Sequence, residues 1–381
     1  MYDSFLVLIQ KLFGAQKPIA LHEPVFIGHE KEYINQCIDS TYVSSVGSFV
    51  TTTEEMLASH FNMKHAILVS SGTAALHLSL MAAGVQENDE VITQPLTFVA
   101  TCNAIKYCQA HPIFIDVHES TLGLCPYQLE QFLENNTDIH NGQLINKLTG
   151  RIIKAVLPMH TFGHACHIDL IKNICHKYKL ALIEDCAEGL GSTYQNKPLG
   201  SFGLINAISF NGNKIITAGG GGAVLTNDDI LFKRVKHLST TAKISHQWQF
   251  EHDEVGYNYR MPNINAALLC AQLENLPAIL ANKRQLAEQY AAFFKEETWA
   301  TFIEEPQHAK SNYWLNALLL ESFEQRNDFL AWTNSKGIMT RPTWTLMPDL
   351  PMFTNAHCEE IKVARYFSQH LVNIPSSARL I

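Results

Sequence analysis

Residues 209–227 read SFNGNKIITAGGGGAVLTN, and this stretch places a lysine, Lys214, shortly before four consecutive glycines. An apolar run typical of a β-strand stands on each side of it. Three interpretations fit the stretch in isolation: a phosphate-binding loop, a turn at the surface, or a loop in which a lysine carries out covalent chemistry. The rest of the sequence decides between them.

The composition predicts a globular protein with a moderate negative charge. The chain has 381 residues, of which 46% are hydrophobic and 17% charged, and its formal net charge at pH 7 is −8. This length predicts two domains, or one large domain with a smaller appendage. The negative net charge and the lack of clustered Lys and Arg argue against a nucleic-acid-binding surface.

Cysteine content and hydropathy together predict a cytoplasmic protein. The nine cysteines are an odd number without paired spacing, which favours free thiols in a reducing compartment. The N-terminal stretch MYDSFLVLIQKLFGAQKP lacks a cationic region before its short apolar run, so it predicts a docking helix and not a signal peptide. No apolar run approaches the roughly 18 residues of a membrane span.

From residue 65 onward, short apolar strands alternate with helical stretches. The predicted strands are 65–71, 89–93, 112–117, 153–160, 180–185 and 207–210. The predicted helices among them are 72–84, 97–108 and 168–178. Strands that alternate with helices predict βαβ units and a mostly parallel sheet covered on both faces, which is an α/β fold.

The pattern changes after about residue 262 and predicts a second unit. Apolar residues recur there at helical spacing, with an interruption at Pro277. A strand-like NYWLNALLL and a helix near 359–371 follow. The sequence therefore predicts an N-terminal docking segment over 1–29, a large domain over 30–261 and a smaller α+β domain over 262–381.

Polar residues that can carry chemistry follow several of the predicted strands. Open α/β sheets bind ligands at the carboxyl ends of their strands, so these positions are candidate sites. Gly72 and Thr73 open a helix and can bind an anion, although a plain helix cap is the competing interpretation. Asp185 ends a strand and can hold a cationic heterocycle nitrogen, or it caps the next turn. Lys214 follows the strand near Ser209, whose hydroxyl can bind phosphate in the same loop.

The order of these residues predicts pyridoxal 5′-phosphate (PLP) as the cofactor. This cofactor needs a lysine for a Schiff base, an acid against its pyridine nitrogen and a cradle for its phosphate. It also needs a flat group over its ring, and Phe98, at another strand-to-helix junction, suits that position. Each residue is ambiguous alone, whereas their order along the sheet favours PLP and its amine form, pyridoxamine phosphate.

Six motifs in order resemble those of the DegT/DnrJ/StrS-type sugar aminotransferases, a branch of the fold-type I PLP enzymes. The resemblance runs from about Pro24 to the C-terminus. The motifs are SSGTAALHLSL, NDEVITQPLTFVATCNAI, MHTFGHACHID, LIEDCAEGLGS, SFNGNKIITAGGGGAVLTND and GYNYRMPNINAALLCAQLE.

The resemblance implies a role for each cofactor-binding position. Lys214 would bind PLP covalently and shuttle the proton, and Asp185 would keep the pyridine nitrogen protonated. Glu188 would lie near the cofactor's hydroxyl. The residues expected to bind the phosphate or to stack on the ring are Gly72, Thr73, Ser209 and Phe98.

The resemblance also implies a shared active site and a set of substrate residues. Asn258 would reach the phosphate of a neighbouring subunit, so a homodimer would be the smallest complete active unit. His160 is expected near the substrate. Arg260 and Arg341 can bind the anionic nucleotide or the carboxylate of glutamate, with exposed ion pairs as the alternative. Trp314 can line the sugar pocket, with core packing as its alternative.

One position departs from the family pattern, and three further segments narrow the resemblance. Gly220 stands where many relatives carry a glutamate, which is expected to loosen the floor of the site. Gly220 and three segments, ALHEPVFIG, CIDSTYVSSVG and TRPTWTLMPDLPMF, together resemble the sequences of one subgroup of the family. That subgroup makes 4-amino sugars in the legionaminic acid and bacillosamine pathways. The His and Cys residues within 160–167 lack the spacing of a metal site, so no metal is predicted.

The sequence thus predicts an aminotransferase that moves the amino group of L-glutamate to a nucleotide-linked 4-keto-6-deoxy sugar. We expect a UDP- or GDP-linked 2-acetamido sugar and a 4-amino product for surface glycans. The alternatives are a PLP-dependent sugar dehydratase, whose relatives replace the lysine by histidine, and a non-catalytic regulator of the same fold. A nucleotide-sugar reductase would need a G-x-G-x-x-G turn, which SSGTAA does not supply.

Overall fold

A computed structural model describes residues 2–14 and 18–380 of the chain. Its helices are α1 (Asp3–Phe13), α2 (Glu30–Asp39), α3 (Ser48–Phe61), α4 (Gly72–Ala82), α5 (Val99–Tyr107), α6 (Pro126–Asn136), α7 (Ile168–Tyr178), α8 (Asp229–Ser239), α9 (Asn263–Glu274), α10 (Leu276–Glu296), α11 (Phe323–Ser335) and α12 (Lys362–His370). Short 3-10 turns lie at Thr161–Gly163 and Met347–Asp349.

The strands are mostly short, with two to five residues each. They are β1 (His65–Val69), β2 (Glu90–Thr93), β3 (His111–Phe114), β4 (Thr137–His140), β5 (Gln143–Asn146), β6 (Ile153–Val156), β7 (Ala181–Asp185), β8 (Thr193–Tyr194), β9 (Lys197–Pro198), β10 (Ile205–Ser209), β11 (Gly222–Thr226), β12 (Ala300–Phe302), β13 (Ala309–Lys310), β14 (Asn316–Leu320), β15 (Arg341–Pro342), β16 (His357–Cys358) and β17 (Leu371–Ile374).

The central sheet has eight strands in the order β1-β11-β10-β7-β6-β2-β3-β16. All neighbours from β10 to β16 pair in parallel, whereas β11 runs antiparallel to both β1 and β10. The strands β2, β10 and β11 are buried along their whole length, as expected for a sheet that is covered on both faces. The predicted α/β fold with a mostly parallel sheet is confirmed, and it brings the carboxyl ends of β1, β2, β7 and β10 to one edge.

The predicted strands and helices of the central sheet agree with the structure in type and order. Most strand ends differ from the prediction by one to three residues, and two differences are larger. Helix α7 begins and ends at the predicted residues. The predicted strand over 153–160 ends earlier, at Val156. Beyond that point Pro158 has no N–H group to donate to a neighbouring strand. The second difference is β11, whose antiparallel direction no local pattern in the sequence indicates.

A second sheet forms in the C-terminal part of the chain. It is antiparallel, with the order β12-β14-β17-β15. Helix α1 buries Phe5 and Ile9 in a cluster with Tyr290, Trp299 and Phe329 from this part. Helix α9 instead lies against α2 and α3. The domain boundaries at residues 30 and 262 therefore stay predictions, and Met1, Ile381 and residues 15–17 of the predicted segments lie outside the described residues.

In the part of the chain that the structure describes, no single helix is long and apolar enough to cross a membrane. The neighbouring helices α9 and α10 meet that criterion only as a pair, and they are bent by 59° relative to each other.

Candidate active site

A cavity of about 320 Å³ opens at the carboxyl edge of the central sheet. Its lining is mostly apolar in area, with a few polar groups that converge on the same space, as is usual for cofactor sites. The structure brings eight predicted residues together there: Gly72, Thr73, Phe98, Asp185, Glu188, Ser209, Lys214 and Trp314.

One end of the cavity is an anion cradle built from the start of α4. The Ser71 hydroxyl accepts a hydrogen bond from the N–H of Ala74, at 3.0 Å, and so caps the helix. The N–H groups of the first turn, at Gly72 and Thr73, have no partner within the helix and point towards its N-terminal end. Gly72 also has to be a glycine, since a Cβ atom there would lie 2.7 Å from the Cβ of Ser209.

The variant Gly72→Ala is expected to lower the free energy of unfolding by about 1–3 kcal/mol, because the strand end at Ser209 has to move. Thermal unfolding of the cofactor-free protein measures this loss. Gly220→Ala is the matched control in the same cavity, since its Cβ would meet no atom closer than the carbonyl oxygen of Ser70 at 3.9 Å. We expect that control to leave stability unchanged or to raise it by up to about 1 kcal/mol. Equal losses in both variants would contradict the steric argument.

Asp185 ends strand β7 as a buried carboxylate in the wall of the cavity. Its Oδ2 accepts a hydrogen bond from the hydroxyl of Thr101, at 2.7 Å, and its Oδ1 accepts one from the N–H of Ala187, at 3.1 Å. Burial raises the pKa of Asp185, and these two bonds and the charge of Lys214 only partly offset the rise. A cationic group placed against this carboxylate would stabilise its ionised form and so offset the effect of burial on its pKa.

Lys214 lies in the turn after β10, between a carboxylate and an aromatic face. Its backbone N–H donates to the carbonyl oxygen of Asn211, at 3.0 Å. Its Nζ lies 3.4 Å from Oε1 of Glu188 and 3.9 Å from the centre of the Trp314 ring. The Trp314 indole N–H donates to the carbonyl oxygen of Asn213, at 2.7 Å. Trp314 thus fixes the turn that presents the amine and also provides a cation–π contact.

Glu188 is buried, and its second carboxylate oxygen is also held. Oε2 accepts a hydrogen bond from the N–H of Phe162, at 2.8 Å. Burial raises the pKa of Glu188 to about 7, although Lys214 and the Phe162 N–H act in the opposite direction. The carboxylate is therefore poised to gain or lose a proton near neutral pH.

Phe98 presents its ring at the mouth of the cavity. It immediately precedes α5, it is 47% exposed, and its ring lies 6.2 Å from that of Trp344. A large aromatic side chain with this exposure is free to stack on a planar ligand.

The structure places His160 away from the cavity, which corrects the expectation that it contacts the substrate. The imidazole is fully buried, its Nε2 lies 3.1 Å from Oε2 of Glu184, and its Nδ1 accepts from the N–H of Cys166. Glu184 also accepts from the N–H groups of Gly200, Phe202 and Gly203. His160 therefore belongs to a buried polar network that holds this loop against β7.

Three other predicted residues are exposed and do not line the cavity of their own chain. Oδ1 of Asn258 accepts hydrogen bonds from Nε and a terminal nitrogen of Arg260, at 3.3 and 3.0 Å. Arg341 donates to Oδ1 of Asn334, at 2.9 Å. Both arginines are thus engaged in local hydrogen bonds at the surface.

Two further residues complete the site that were not predicted from the sequence, Thr101 and Asn312. Thr101 follows Phe98 by three positions, so the first turn of α5 carries both towards the cavity, and this spacing was a usable signal. Asn312 donates to the carbonyl oxygen of Glu188, at 2.7 Å, and accepts from the N–H of Trp314, also at 2.7 Å. It lies more than a hundred residues from Glu188, and no local pattern reveals this contact.

Comparisons with known proteins agree with this geometry. Residues 26–381 match the family described as the DegT/DnrJ/EryC1/StrS aminotransferase family. The chain is 36% identical over 360 residues to a GDP-perosamine synthase of Escherichia coli O157:H7, covering 94% of this chain and 93% of that protein. Among solved structures it resembles PseC of Helicobacter pylori, an aminotransferase of pseudoaminic acid biosynthesis, with a TM-score of 0.86, 25% identity and coverage of 96% and 95%. The PLP-form of a putative sugar aminotransferase from Streptococcus pneumoniae matches with a TM-score of 0.85, 22% identity and coverage of 96% and 95%.

Aminotransferases of the matched family use PLP, and the residues of the cavity fit this cofactor. The cradle at Gly72 leaves no room for a Cβ atom, as a backbone that closely approaches a phosphate requires. Asp185 is a buried carboxylate that lacks a cationic partner in direct contact, among the residues that the structure describes. Bound PLP provides an electron-accepting ring that stabilises negative charge on the carbon next to the reacting nitrogen.

Proposed function

Because the chain belongs to the DegT/DnrJ/EryC1/StrS aminotransferase family, we propose that it moves the amino group of L-glutamate to the C4 keto group of a nucleotide-linked 6-deoxy sugar. The observation that carries the proposal is the placement of the Lys214 amine, the Asp185 carboxylate and the anion cradle around one cavity. Lys214 is the nucleophile and base, which requires an amine held at the reacting carbon.

The other residues bind and orient the cofactor and exclude water. Asp185 holds the proton on the pyridine nitrogen of PLP, and Phe98 packs against the ring. Glu188 lies beside Lys214, where it can also approach the hydroxyl of the cofactor. The residues that bind the phosphate are Gly72, Thr73 and Ser209, at the start of α4 and the end of β10.

The relatives support a GDP-linked sugar as the first substrate to test. Perosamine is a 4-amino sugar, and the two GDP-perosamine synthases from Escherichia coli and Vibrio cholerae are 36% and 35% identical to this chain. The predicted membership of the legionaminic acid or bacillosamine subgroup lacks comparable support among these names. We therefore propose a GDP-linked 4-keto-6-deoxy sugar ahead of a UDP-linked 2-acetamido sugar. Trp314 and Trp344 line the cavity where the sugar would bind.

The test is an absorbance spectrum of the PLP-loaded protein before and after L-glutamate is added. The visible-edge band of lysine-bound PLP should move into the near ultraviolet as nitrogen is transferred. A GDP-linked 4-keto-6-deoxy sugar should then restore the band and yield the 4-amino sugar. A band of lysine-bound PLP that glutamate does not change would favour the non-catalytic regulator. Restoration only by a UDP-linked 2-acetamido sugar would overturn the order of substrates proposed above.

We also propose a homodimer with a shared active site, located in the cytoplasm. The nine cysteines are free thiols in the structure, as a reducing compartment permits. Exposed apolar side chains such as Trp248, Phe250 and Val255 lie close in sequence to Asn258 and offer an apolar surface to a second copy.

Asn258→Ala is expected to weaken PLP binding about tenfold to a hundredfold without loss of the fold, because one hydrogen bond to a charged phosphate is removed. Equilibrium binding of PLP and thermal unfolding measure the two effects. Asn327→Ala is the matched control, since Asn327 likewise accepts two hydrogen bonds from a neighbouring arginine, Arg326. Mixed dimers of Asn258→Ala and Lys214→Ala subunits should regain activity. No recovery and unchanged affinity would contradict the shared site.

A further inference from the structure

Trp314 is fixed more firmly than a residue that only lines a sugar pocket needs to be. Its side chain is buried, and its indole N–H donates to the carbonyl oxygen of Asn213, at 2.7 Å. Its backbone N–H donates to Oδ1 of Asn312, at 2.7 Å, and its carbonyl oxygen accepts from Nζ of Lys283, at 3.2 Å. Hydrogen bonds at the side chain and at both backbone groups hold the ring in one orientation.

The amine of Lys214 lies against the face of this fixed ring. Asn213, which accepts the indole hydrogen bond, directly precedes Lys214, so this bond ties the ring to the turn that carries the amine. Nζ lies 3.9 Å from the ring centre, well inside the roughly 6 Å over which an aromatic face attracts a cation. The Lys214 side chain is only 12% exposed, and such contacts strengthen when water is excluded.

Two further basic groups lie near Trp314, and burial disfavours the charged form of each. The ring centre of His22 lies 6.5 Å from that of Trp314. Burial, and then the charges of Lys283 and Lys214, lower the pKa of His22 well below its usual value. Burial likewise lowers the pKa of Lys283 well below its usual value. Lys214 differs from both, because the carboxylate of Glu188, at 3.4 Å, favours a positive charge on its amine.

We propose that Trp314 is a catalytic residue that stabilises the ammonium form of Lys214 when this amine acts as a base, a role that rests on the proposed function. In that step the C–H bond at the α-carbon of glutamate breaks, its electron pair stays on the substrate, and the proton forms a new N–H bond at Nζ of Lys214. The positive charge that develops at Nζ lies over the face of the ring. Trp314 therefore interacts more strongly with the transition state than with the neutral amine that precedes it.

Fluorinated tryptophans inserted at position 314 of the full-length protein test this role without disturbing the fold. Each added fluorine withdraws electron density from the face of the ring and so weakens its attraction for a cation. The shape of the ring is nearly unchanged, and the indole N–H can still donate to Asn213. Trp314→Ala would remove the ring and this hydrogen bond together, so it could not separate a catalytic from a structural role.

Chemical labelling of the cofactor-free protein measures the ammonium form of Lys214 without any transamination. Trace acetic anhydride reacts only with the neutral amine, and mass spectrometry of the Lys214 peptide reports the rate at pH 7 relative to the rate at high pH, which corrects for access. This relative rate should rise by about tenfold over the fluorinated series, because the ammonium form loses stabilisation. The same replacements of Trp344 are the matched control and should leave the labelling unchanged, since Trp344 lines the same cavity but contacts Phe98 and Phe162.

The glutamate half-reaction of the PLP-loaded protein should change in the opposite direction. Its limiting rate at high pH, where the amine is neutral before the step, should fall about threefold to tenfold over the series at position 314, because the ammonium that forms is less stabilised. An isotope effect with glutamate deuterated at its α-carbon identifies proton transfer as the step that is measured. Fluorination of Trp332, which packs against the C-terminal cluster of Phe5 and Trp299, should leave this rate unchanged.

Two outcomes overturn the proposal. A labelling rate that stays constant over the series at position 314 would show that the ring does not stabilise the ammonium form. An altered labelling rate with a constant limiting rate of the half-reaction would show that the contact plays no part in proton transfer. Failure of the proposed function has a different signature, since it abolishes the response to glutamate and leaves the labelling trend in place.

Discussion

Lys214→Ala is expected to abolish turnover, with a loss of at least about 10³-fold, because one side chain supplies both the nucleophile and the base. PLP should remain bound without a covalent bond, since the anion cradle and Asp185 are unchanged. The visible-edge band of lysine-bound cofactor should therefore be missing from a protein that still co-purifies with PLP or pyridoxamine phosphate. Absorbance, mass spectrometry of the intact protein and a coupled assay for 2-oxoglutarate measure the three effects.

Two comparisons separate the loss of chemistry from a loss of structure. Lys172→Ala removes an exposed lysine of α7 and should leave both spectrum and turnover unchanged. Added methylamine should restore part of the activity of Lys214→Ala, because a small amine can enter the space that the side chain vacates. A Lys214→Ala protein that keeps normal turnover would refute the mechanism.

The sequence was sufficient to predict the residues that belong to the cavity because they follow strands directly. Gly72, Asp185 and Lys214 each come within a few residues of a strand end, and parallel strands bring these ends to one edge. Their chemistry is also local, since a glycine before a helix or an acid after a buried strand can be read without knowledge of the fold. The structure confirms that these three residues line one cavity.

Residues whose surroundings come from distant segments could not be predicted in this way. His160 is the last residue of a predicted strand, and the resemblance to the family implied that it lies near the substrate. In the structure it is fully buried and bonded to Glu184, which also accepts hydrogen bonds from the loop at 200–203. Asn312 is the opposite case, since it contacts the site residue Glu188 but was not predicted. Nothing in NYWLNALLL indicates its bonds to Glu188 and Leu190. Burial and hydrogen bonding across a hundred residues depend on how the C-terminal part packs against the central sheet.

Asp185 illustrates how a site residue can oppose the stability of the protein that contains it. Its pKa is raised in the folded, cofactor-free protein by burial. A carboxyl group of this kind binds more protons in the folded than in the unfolded state between the two pKa values. Stability therefore falls as pH rises through that window, and the loss is complete above the folded-state pKa. The cofactor's pyridinium nitrogen would reverse this effect by providing a cation for the buried charge.

Asp185→Asn is accordingly expected to change stability and function in opposite directions. The amide can accept from the Ala187 N–H and donate to Thr101, whose hydroxyl can turn towards Thr97, so no buried polar group loses its partner. At neutral pH the cofactor-free variant should melt at a higher temperature than the wild type, and this difference should vanish as the pH falls and Asp185 becomes protonated.

Turnover of Asp185→Asn should fall on the order of 10²–10³-fold, because a neutral amide no longer keeps the proton on the ring nitrogen of PLP. Thermal unfolding from pH 4 to 8, with and without PLP, and the rate of the glutamate half-reaction measure both effects. Asp229→Asn serves as the control, since that exposed carboxylate pairs with Lys64 at the surface, far from β7 in sequence. A lower melting temperature of cofactor-free Asp185→Asn at pH 7 would show that the carboxylate stabilises the fold. It would contradict the proposal that the charge of Asp185 serves to bind the pyridine nitrogen of PLP.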